Sequence, residues 1–205
     1  MHIVKASKEF IPLGVNLLSK DLVGVFPTDT LYGICSNALS PKAVEKIYTL
    51  KWRNPKKPLI VLISSLHQLG EYFGIKNLPK EVEKIFLLSE PISVLLEVKG
   101  FDWISRGGKF IAFRLVKKGF IKEFIDAFGK PLVAPSANWE GYPPAKDVFQ
   151  AFNYFGGGVS IYYNGGVLKG SPSTLVRVDK GKIEVLRKGA LSTKTLESLI
   201  KAKNA

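Results

Sequence analysis

Short apolar runs alternate along this chain with stretches whose apolar residues recur at helical spacing. Compact apolar runs bounded by Pro, Gly or charged residues predict buried strands, and apolar residues recurring every three to four positions predict amphipathic helices. The predicted strands cover residues 22–26, 59–63, 92–98, 110–115, 131–135, 159–163, 174–178 and 182–187. The predicted helices cover residues 41–52, 66–73, 79–88, 120–128 and 147–155, and a final helix begins at Ser192. This alternation predicts an α/β fold in which helices flank a mixed sheet.

The chain has no internal repeat, low-complexity linker or break in composition. Its 205 residues, 46% of them hydrophobic, suffice to bury one core, so we expect residues 1–205 to form a single domain. Residues 1–10 lack the apolar core of a signal peptide, and no uncharged apolar run is long enough to cross a membrane. We therefore expect a soluble, cytoplasmic protein that makes no membrane contact.

The charge of the chain is strongly positive. Lys and Arg number 30 against 17 Asp and Glu, which gives a net charge of +13. Such a field attracts nucleic acid, nucleotides or an acidic partner, although a solvated basic surface accounts for it equally well. Cys35 is the only cysteine, and His2 and His67 are the only histidines, so multi-cysteine metal sites and histidine clusters are excluded.

A polar turn follows the first predicted strand. Thr28, Asp29 and Thr30 come directly after it, a position where α/β folds often carry chemistry. In the strand over residues 110–115, alternation places Arg114 on one face, where its cation needs an anion. Arg114 is expected to pair with Asp29 or to bind a substrate carboxylate, and the two interpretations are compatible.

A cluster of cations follows the predicted helix over residues 41–52. Its members share one short loop that Pro55 and Pro58 stiffen, and they are Lys51, Arg53, Lys56 and Lys57. Stiff, clustered cations suit a polyphosphate, although a solvated basic loop would have the same spacing. The chain contains no Walker A motif, so a nucleotide would have to be held in another way.

Three further polar positions lie at strand ends. Ser136 and Asn138 form a turn after the strand over residues 131–135, and Ser173 precedes the strand over residues 174–178. Such side chains either line a cleft or satisfy backbone groups of their own turn. Arg187, at the end of its strand, is either a rim charge or a phosphate contact.

Six short motifs occur in a fixed order between residues 27 and 189. They are Pro-Thr-Asp-Thr-Leu-Tyr-Gly, Lys-x-Arg, Pro-Leu-Ile-Val, Ser-Ala-Asn, Ser-Thr-Leu-Val and Leu-Arg-x-Gly. In this order and spacing the chain resembles the YrdC family of threonylcarbamoyl-AMP synthases, in its short bacterial-like form. The resemblance implies a twisted mixed sheet with a concave basic cleft.

The resemblance also implies an activity. L-threonine, bicarbonate and ATP would give threonylcarbamoyl-AMP and pyrophosphate, which serves the N6-threonylcarbamoyladenosine (t6A) modification of tRNA. Mg²⁺ would bridge the phosphates of ATP, held mainly by substrate oxygens. tRNA and downstream threonylcarbamoyl-transferase proteins are the implied partners. No side chain is assigned as a nucleophile or a base, since positioning and charge neutralisation suffice.

Site roles follow from the same resemblance. The residues implied to hold threonine are Thr30, Thr28 and Arg114. Those implied to contact ATP are Arg53, Lys57, Ser136, Ser173 and Arg187, with Lys51 and Asn138 completing the pocket. The chain departs from many relatives at Lys57 and Leu62, where they have Asn and His.

A non-catalytic basic module that binds RNA or tRNA is the competing hypothesis. Its signature would be salt-sensitive RNA binding without turnover of ATP.

Overall fold

The structure is a computed structural model that describes residues 1–179, 182–192 and 195. The described residues form a ten-stranded mixed sheet. Its strands are β1 (His2–Lys5), β2 (Gly24–Pro27), β3 (Tyr32–Asn37), β4 (Ile60–Ile63), β5 (Ile92–Glu97), β6 (Phe110–Leu115), β7 (Leu132–Val133), β8 (Ile161–Asn164), β9 (Thr174–Asp179) and β10 (Lys182–Arg187). Their order across the sheet is β1-β8-β2-β3-β7-β4-β6-β5-β9-β10.

Helices cover both faces of this sheet. They are α1 (Ile11–Ser19), α2 (Pro41–Lys51), α3 (His67–Phe73), α4 (Lys80–Phe86), α5 (Asp102–Ser105), α6 (Phe120–Phe128) and α7 (Val148–Phe155). The mixed α/β architecture predicted from the pattern is confirmed. Within the described residues, no helix combines the length and apolar character needed to cross a bilayer.

The apolar pattern does not reveal every element. It misses β1, α1 and β3, and it assigns α5 to a loop. Strand β3 is buried on both faces, so its sequence shows no alternation of apolar and polar residues. Helix α1 contains Pro12 and Gly14, which are poor helix formers, and a Cβ at Gly14 would collide with the hydroxyl of Tyr163. The predicted helix from Ser192 lies outside the described residues apart from isolated positions.

Two apolar clusters hold the helices to the sheet. Helices α1 and α6 pack on one face, where Leu18 and Phe124 belong to the same buried cluster as Phe26 and Leu62 of the sheet. The larger cluster on the other face includes buried residues of α2, α3, α4, α5 and α7. Burial of the sheet between these helices is the main source of stability.

The strand register shows which residues share the face of α1 and α6. Phe26 pairs with Gly33, and Leu62 pairs with Arg114. Directly paired residues point to the same side of a sheet, so Gly33 and Arg114 lie on this face as well. Both residues line a cavity. The part of this face beyond the two helices is therefore open for a site.

Helix α2 delivers the predicted cation cluster. The Ser40 hydroxyl caps its start by accepting from Ala43 N at 3.2 Å, and Pro41 follows at the first turn. Trp52 ends the helix in the left-handed conformation, with φ of 50°. This conformation is costly for a bulky side chain, and it turns the chain sharply so that Arg53 leaves the helix.

Candidate active site

A cavity of about 420 Å³ opens on the uncovered part of the sheet face. Its walls come from β3, β4, β5, β6, β9 and β10, from the loops that follow β2, α2 and β7, and from the loop before β9. The predicted site residues that line it are Thr28, Thr30, Arg53, Arg114, Ser136, Ser173 and Arg187. Lys51, Lys57 and Asn138 are not among the lining residues. Three arginines line the cavity, while the predicted concave basic cleft as a whole stays a prediction.

The turn between β2 and β3 is held by its own threonines. Thr28 Oγ1 donates to Leu31 O at 2.7 Å and accepts from Thr30 N at 3.1 Å. The two threonine hydroxyls lie 3.1 Å apart. Thr28 is therefore largely occupied by the turn, whereas Thr30 Oγ1 has this single contact within the described residues. Thr30 is the better placed of the two to meet a ligand.

Arg114 lies buried on β6 beside this turn. Its Nη2 is 3.0 Å from Asp29 Oδ1 and donates to Thr28 Oγ1 at 3.4 Å. The predicted pairing with Asp29 is thus confirmed. Burial lowers the pKa of the guanidinium, and the charge of Asp29 opposes that shift. Arg114 Nε is buried and has no hydrogen-bond partner among the described residues, so the protein does not fully pair this guanidinium, which lines the cavity.

Arg53 is oriented by the loop that carries it. Its Nη2 donates to Pro58 O at 2.9 Å, and Nε reaches Lys57 O at 3.5 Å. The hydroxyl of Tyr48 also donates to Lys57 O, at 2.7 Å, which ties the loop to α2. Nη1 of the guanidinium has no hydrogen-bond partner among the described residues. Arg53 can offer that nitrogen to an anion in the cavity.

Lys51 faces away from the cavity into the protein. Its side chain is 1% exposed, and Nζ donates to Ser136 O at 2.5 Å and to Asn138 O at 2.6 Å. Burial, and next the charge of Arg53, lower the pKa of the ammonium to about 7, against the attraction of Glu140. The structure therefore places Lys51 behind the Ser-Ala-Asn turn rather than in the cavity wall.

This burial predicts a pH-dependent stability. The pKa of Lys51 is about 7 in the folded protein and 10.5 in the unfolded chain. Between pH 7 and pH 10.5 the side chain is therefore mostly deprotonated in the folded protein and protonated in the unfolded chain. Stability then rises with pH across this window, by about 2 kcal/mol from pH 7 to pH 9. We expect urea unfolding to show this gain in the wild type and to lack it in Lys51→Met.

The neighbouring Lys56→Met is the matched control, because Lys56 is an exposed lysine of the same loop. Its unfolding should follow the wild-type pH dependence. Parallel pH curves for the wild type and Lys51→Met would contradict a buried, deprotonating Lys51.

The other two predicted ATP contacts are engaged elsewhere in this state. Asn138 is buried, accepts from the Ser136 hydroxyl at 2.6 Å, and donates to Trp139 O at 2.7 Å and Tyr142 O at 2.9 Å. Lys57 is exposed and pairs with Glu140. Asn138 thus shapes the turn that presents Ser136, and Lys57 would have to release Glu140 to meet a phosphate.

Ser173 and Arg187 contact each other in the cavity wall formed near β9 and β10. The Ser173 hydroxyl lies 2.7 Å from that of Ser93, and Arg187 Nη2 donates to Ser173 O at 3.0 Å. Burial lowers the pKa of Arg187. Ser93 lines the cavity and was not predicted, although a serine between Ile92 and Val94 in a buried strand is the kind of signal that marks such a position.

The loop between β8 and β9 closes over the threonine turn. The hydroxyl of Tyr32 donates to Gly166 O at 2.8 Å and accepts from Gly165 N at 2.9 Å. Further along the loop, a Cβ at Gly170 would collide with the carbonyl of Thr30. Glycine permits this close approach. Gly170 carries no side-chain signal, so its role is visible only in the structure.

Comparison with known proteins identifies this arrangement of strands and loops. A family model named Sua5_yciO_yrdC and described as telomere recombination matches residues 16–189. The threonylcarbamoyl-AMP synthase of Buchnera aphidicola is 30% identical over 173 residues, which make up 82% of this chain and 93% of that protein. The threonylcarbamoyl-AMP synthase of Pyrococcus abyssi is 28% identical over 195 residues, 93% of this chain and 57% of that protein.

The fold agrees with these similarities. The crystal structure of P. abyssi Sua5 complexed with L-threonine matches with a TM-score of 0.90 at 27% identity, and the match covers 98% of this chain and 61% of that chain. E. coli YciO has the same fold, with a TM-score of 0.79 at 19% identity over 92% of this chain and 93% of that chain. The chain therefore spans less than two thirds of the Pyrococcus protein and nearly all of the Buchnera one. With a family model that matches 16–189 and a relative that is 30% identical over most of its length, the chain belongs to the Sua5/YciO/YrdC family.

Proposed function

We propose that this chain is a threonylcarbamoyl-AMP synthase, a nucleotidyltransferase that converts L-threonine, bicarbonate and ATP into threonylcarbamoyl-AMP and pyrophosphate. One observation carries the proposal. A single cavity combines a buried, partly unpaired arginine beside two threonine hydroxyls with two further arginines and a serine turn. A zwitterionic amino acid and a polyphosphate have complementary charges and hydrogen-bonding groups.

The threonine half of the site is centred on Arg114. The guanidinium of Arg114 lines the cavity and can donate to a carboxylate there, while Thr30 Oγ1 lies on the turn next to it. The complex of P. abyssi Sua5 with L-threonine supports an amino-acid site in this fold. Because Asp29 already balances the single charge of Arg114, threonine would bind as a zwitterion whose own ammonium balances its carboxylate.

The ATP half of the site is formed by loops around the remaining cavity wall. Arg53 and Arg187 supply cations, and Ser136 and Ser173 supply hydroxyls. The described residues contain no group of three or more His, Cys, Asp or Glu side chains that could hold a metal ion. A Mg²⁺ ion would accordingly be held through the phosphate oxygens of ATP, whose charge it would offset.

The reaction requires alignment of the carbamate with the α-phosphate more than it requires a reactive side chain. The amine of threonine and bicarbonate give a carbamate with loss of water. A carbamate oxygen then attacks the α-phosphorus of ATP, and the bond to pyrophosphate breaks. Cations that balance the charge of the leaving pyrophosphate, in a cavity that aligns carbamate and phosphate, lower the barrier of this displacement.

Pyrophosphate release by the purified protein tests the proposal. ATP, threonine and bicarbonate are supplied together and with each omitted in turn, and mass spectrometry identifies the adenylate. Release that needs all three, with the mass of threonylcarbamoyl-AMP, is the expected result. A folded protein that releases no pyrophosphate under any combination, yet binds tRNA in a salt-sensitive manner, would instead support the RNA-binding module.

The proposed product implies the partners of the protein and the place where it would act. Threonylcarbamoyl-AMP would pass to threonylcarbamoyl-transferase proteins that form t6A on tRNA, and the enzyme would work in the cytoplasm where tRNA is modified. The net charge of +13 gives tRNA or an acidic partner a favourable encounter.

A further inference from the structure

Two loops of the candidate ATP site are tied together at several points. The cation loop, residues 51–58, carries Arg53, and the serine loop, residues 134–142, carries Ser136. Lys51 Nζ donates to two carbonyls of the serine loop, and Lys51 O accepts from Glu140 N at 2.9 Å. The rings of Trp52 and Trp139 stack between the loops with centroids 4.2 Å apart.

Glu140 provides the only carboxylate between these loops within the described residues. Its Oε2 accepts from Asn54 N at 2.5 Å, and its Oε1 pairs with the ammonium of Lys57. The hydrogen bond from Lys57, and after it the hydrogen bond from Asn54 N, lower the pKa of this carboxyl group. Glu140 therefore remains charged and holds both ends of the turn over residues 54–57.

That turn also sets the direction of Arg53. The guanidinium donates to Pro58 O at 2.9 Å and reaches Lys57 O at 3.5 Å. These two carbonyls belong to the residue paired with Glu140 and to the residue after it. If the turn moves, the acceptors that aim the guanidinium move with it, and its distance from the Ser136 hydroxyl changes.

We propose that Glu140 is a positioning residue for ATP, which acts by fixing Arg53 relative to Ser136. The proposal rests on the proposed function. The Lys57 and Glu140 side chains are 56% and 23% exposed, so their ion pair contributes little to the stability of the whole fold. The effect of the ion pair is local. A guanidinium that is already oriented toward the phosphate site before ATP binds loses less conformational freedom on binding.

Steady-state kinetics and ATP titration calorimetry on the full chain test this role. In Glu140→Ala we expect the KM and Kd for ATP to rise about tenfold, the equivalent of one charge-assisted contact. The KM for threonine and the melting temperature should stay near wild type. Glu140→Gln keeps an oxygen for Asn54 N and should recover part of the affinity for ATP.

A double-mutant cycle separates positioning from a direct or general effect. If Glu140 acts through Arg53, then Arg53→Ala combined with Glu140→Ala should bind ATP no more weakly than Arg53→Ala alone. Additive losses would overturn the proposal. Glu123→Ala is the matched control, because it removes an exposed carboxylate that pairs with Lys8 at 3.6 Å on another part of the surface.

The outcomes also distinguish failure of the proposed function from failure of the role of Glu140. A wild-type protein that does not bind ATP overturns the proposed function together with the role of Glu140. A wild type that binds ATP and makes the adenylate, with equal ATP affinity in Glu140→Ala, overturns the positioning role alone.

Discussion

Replacing Arg114 with methionine is expected to lower threonine-dependent pyrophosphate release on the order of a thousandfold. The substitution removes the guanidinium that lines the cavity beside the threonine turn and that we assign to the threonine carboxylate. It also removes the partner of Asp29, whose side chain is 18% exposed. Because water reaches Asp29, loss of its ion pair should cost only about 1–3 kcal/mol of stability. Kinetics against threonine concentration and urea unfolding measure the two effects.

A second substitution distinguishes the two effects. Asp29→Asn in the Arg114→Met background removes the unpaired charge and should restore much of the stability. It should not restore turnover, because the donor for the threonine carboxylate is still absent. Arg114→Lys keeps a cation but loses the planar fork, so its KM for threonine should rise as well. Normal turnover by a folded Arg114→Met protein would rule out the carboxylate role.

The location of the candidate site could be predicted in part because several of its residues follow strand ends. Thr28 and Thr30 come after β2, Ser136 comes after β7, and the sequence shows both turns as polar residues next to apolar runs. The isolated bridge between Gly33 and Ser136 brings these turns to the same place. A strand end is a local feature of the sequence, which is why this part of the prediction needed no tertiary contacts.

The direction of individual side chains could not be predicted. The spacing of Lys51 and Arg53 indicates a cation loop, but the left-handed turn at Trp52 separates them. It sends the ammonium of Lys51 to the carbonyls of the serine loop and Arg53 to the cavity. Glu140 gave no signal at all, since its partners Asn54 and Lys57 are more than eighty residues away along the chain. Only the fold makes them neighbours.

Replacing Arg53 with alanine is expected to reduce adenylate formation by at least about a hundredfold while leaving the fold intact. Arg53 lines the cavity, and its hydrogen bonds go to carbonyls of its own exposed loop, which water can satisfy after the substitution. The loss should be greatest in the KM for ATP, because the guanidinium is assigned to the phosphates. Pyrophosphate release and ATP titration calorimetry measure it, and far-ultraviolet circular dichroism checks the fold.

Lys56→Ala is the matched control for Arg53→Ala, since it removes an exposed cation of the same loop that does not line the cavity. A loss of the same size in both variants would mean that the loop acts only through its overall charge. Arg53→Ala should also raise the pKa of Lys51, because the charge of Arg53 is the second cause, after burial, that lowers it. The rise of stability with pH should then begin at a higher pH than in the wild type. Normal turnover by folded Arg53→Ala would remove Arg53 from the phosphate site. Lost turnover together with this shifted pH dependence would support a guanidinium that lies close to Lys51 and contacts ATP.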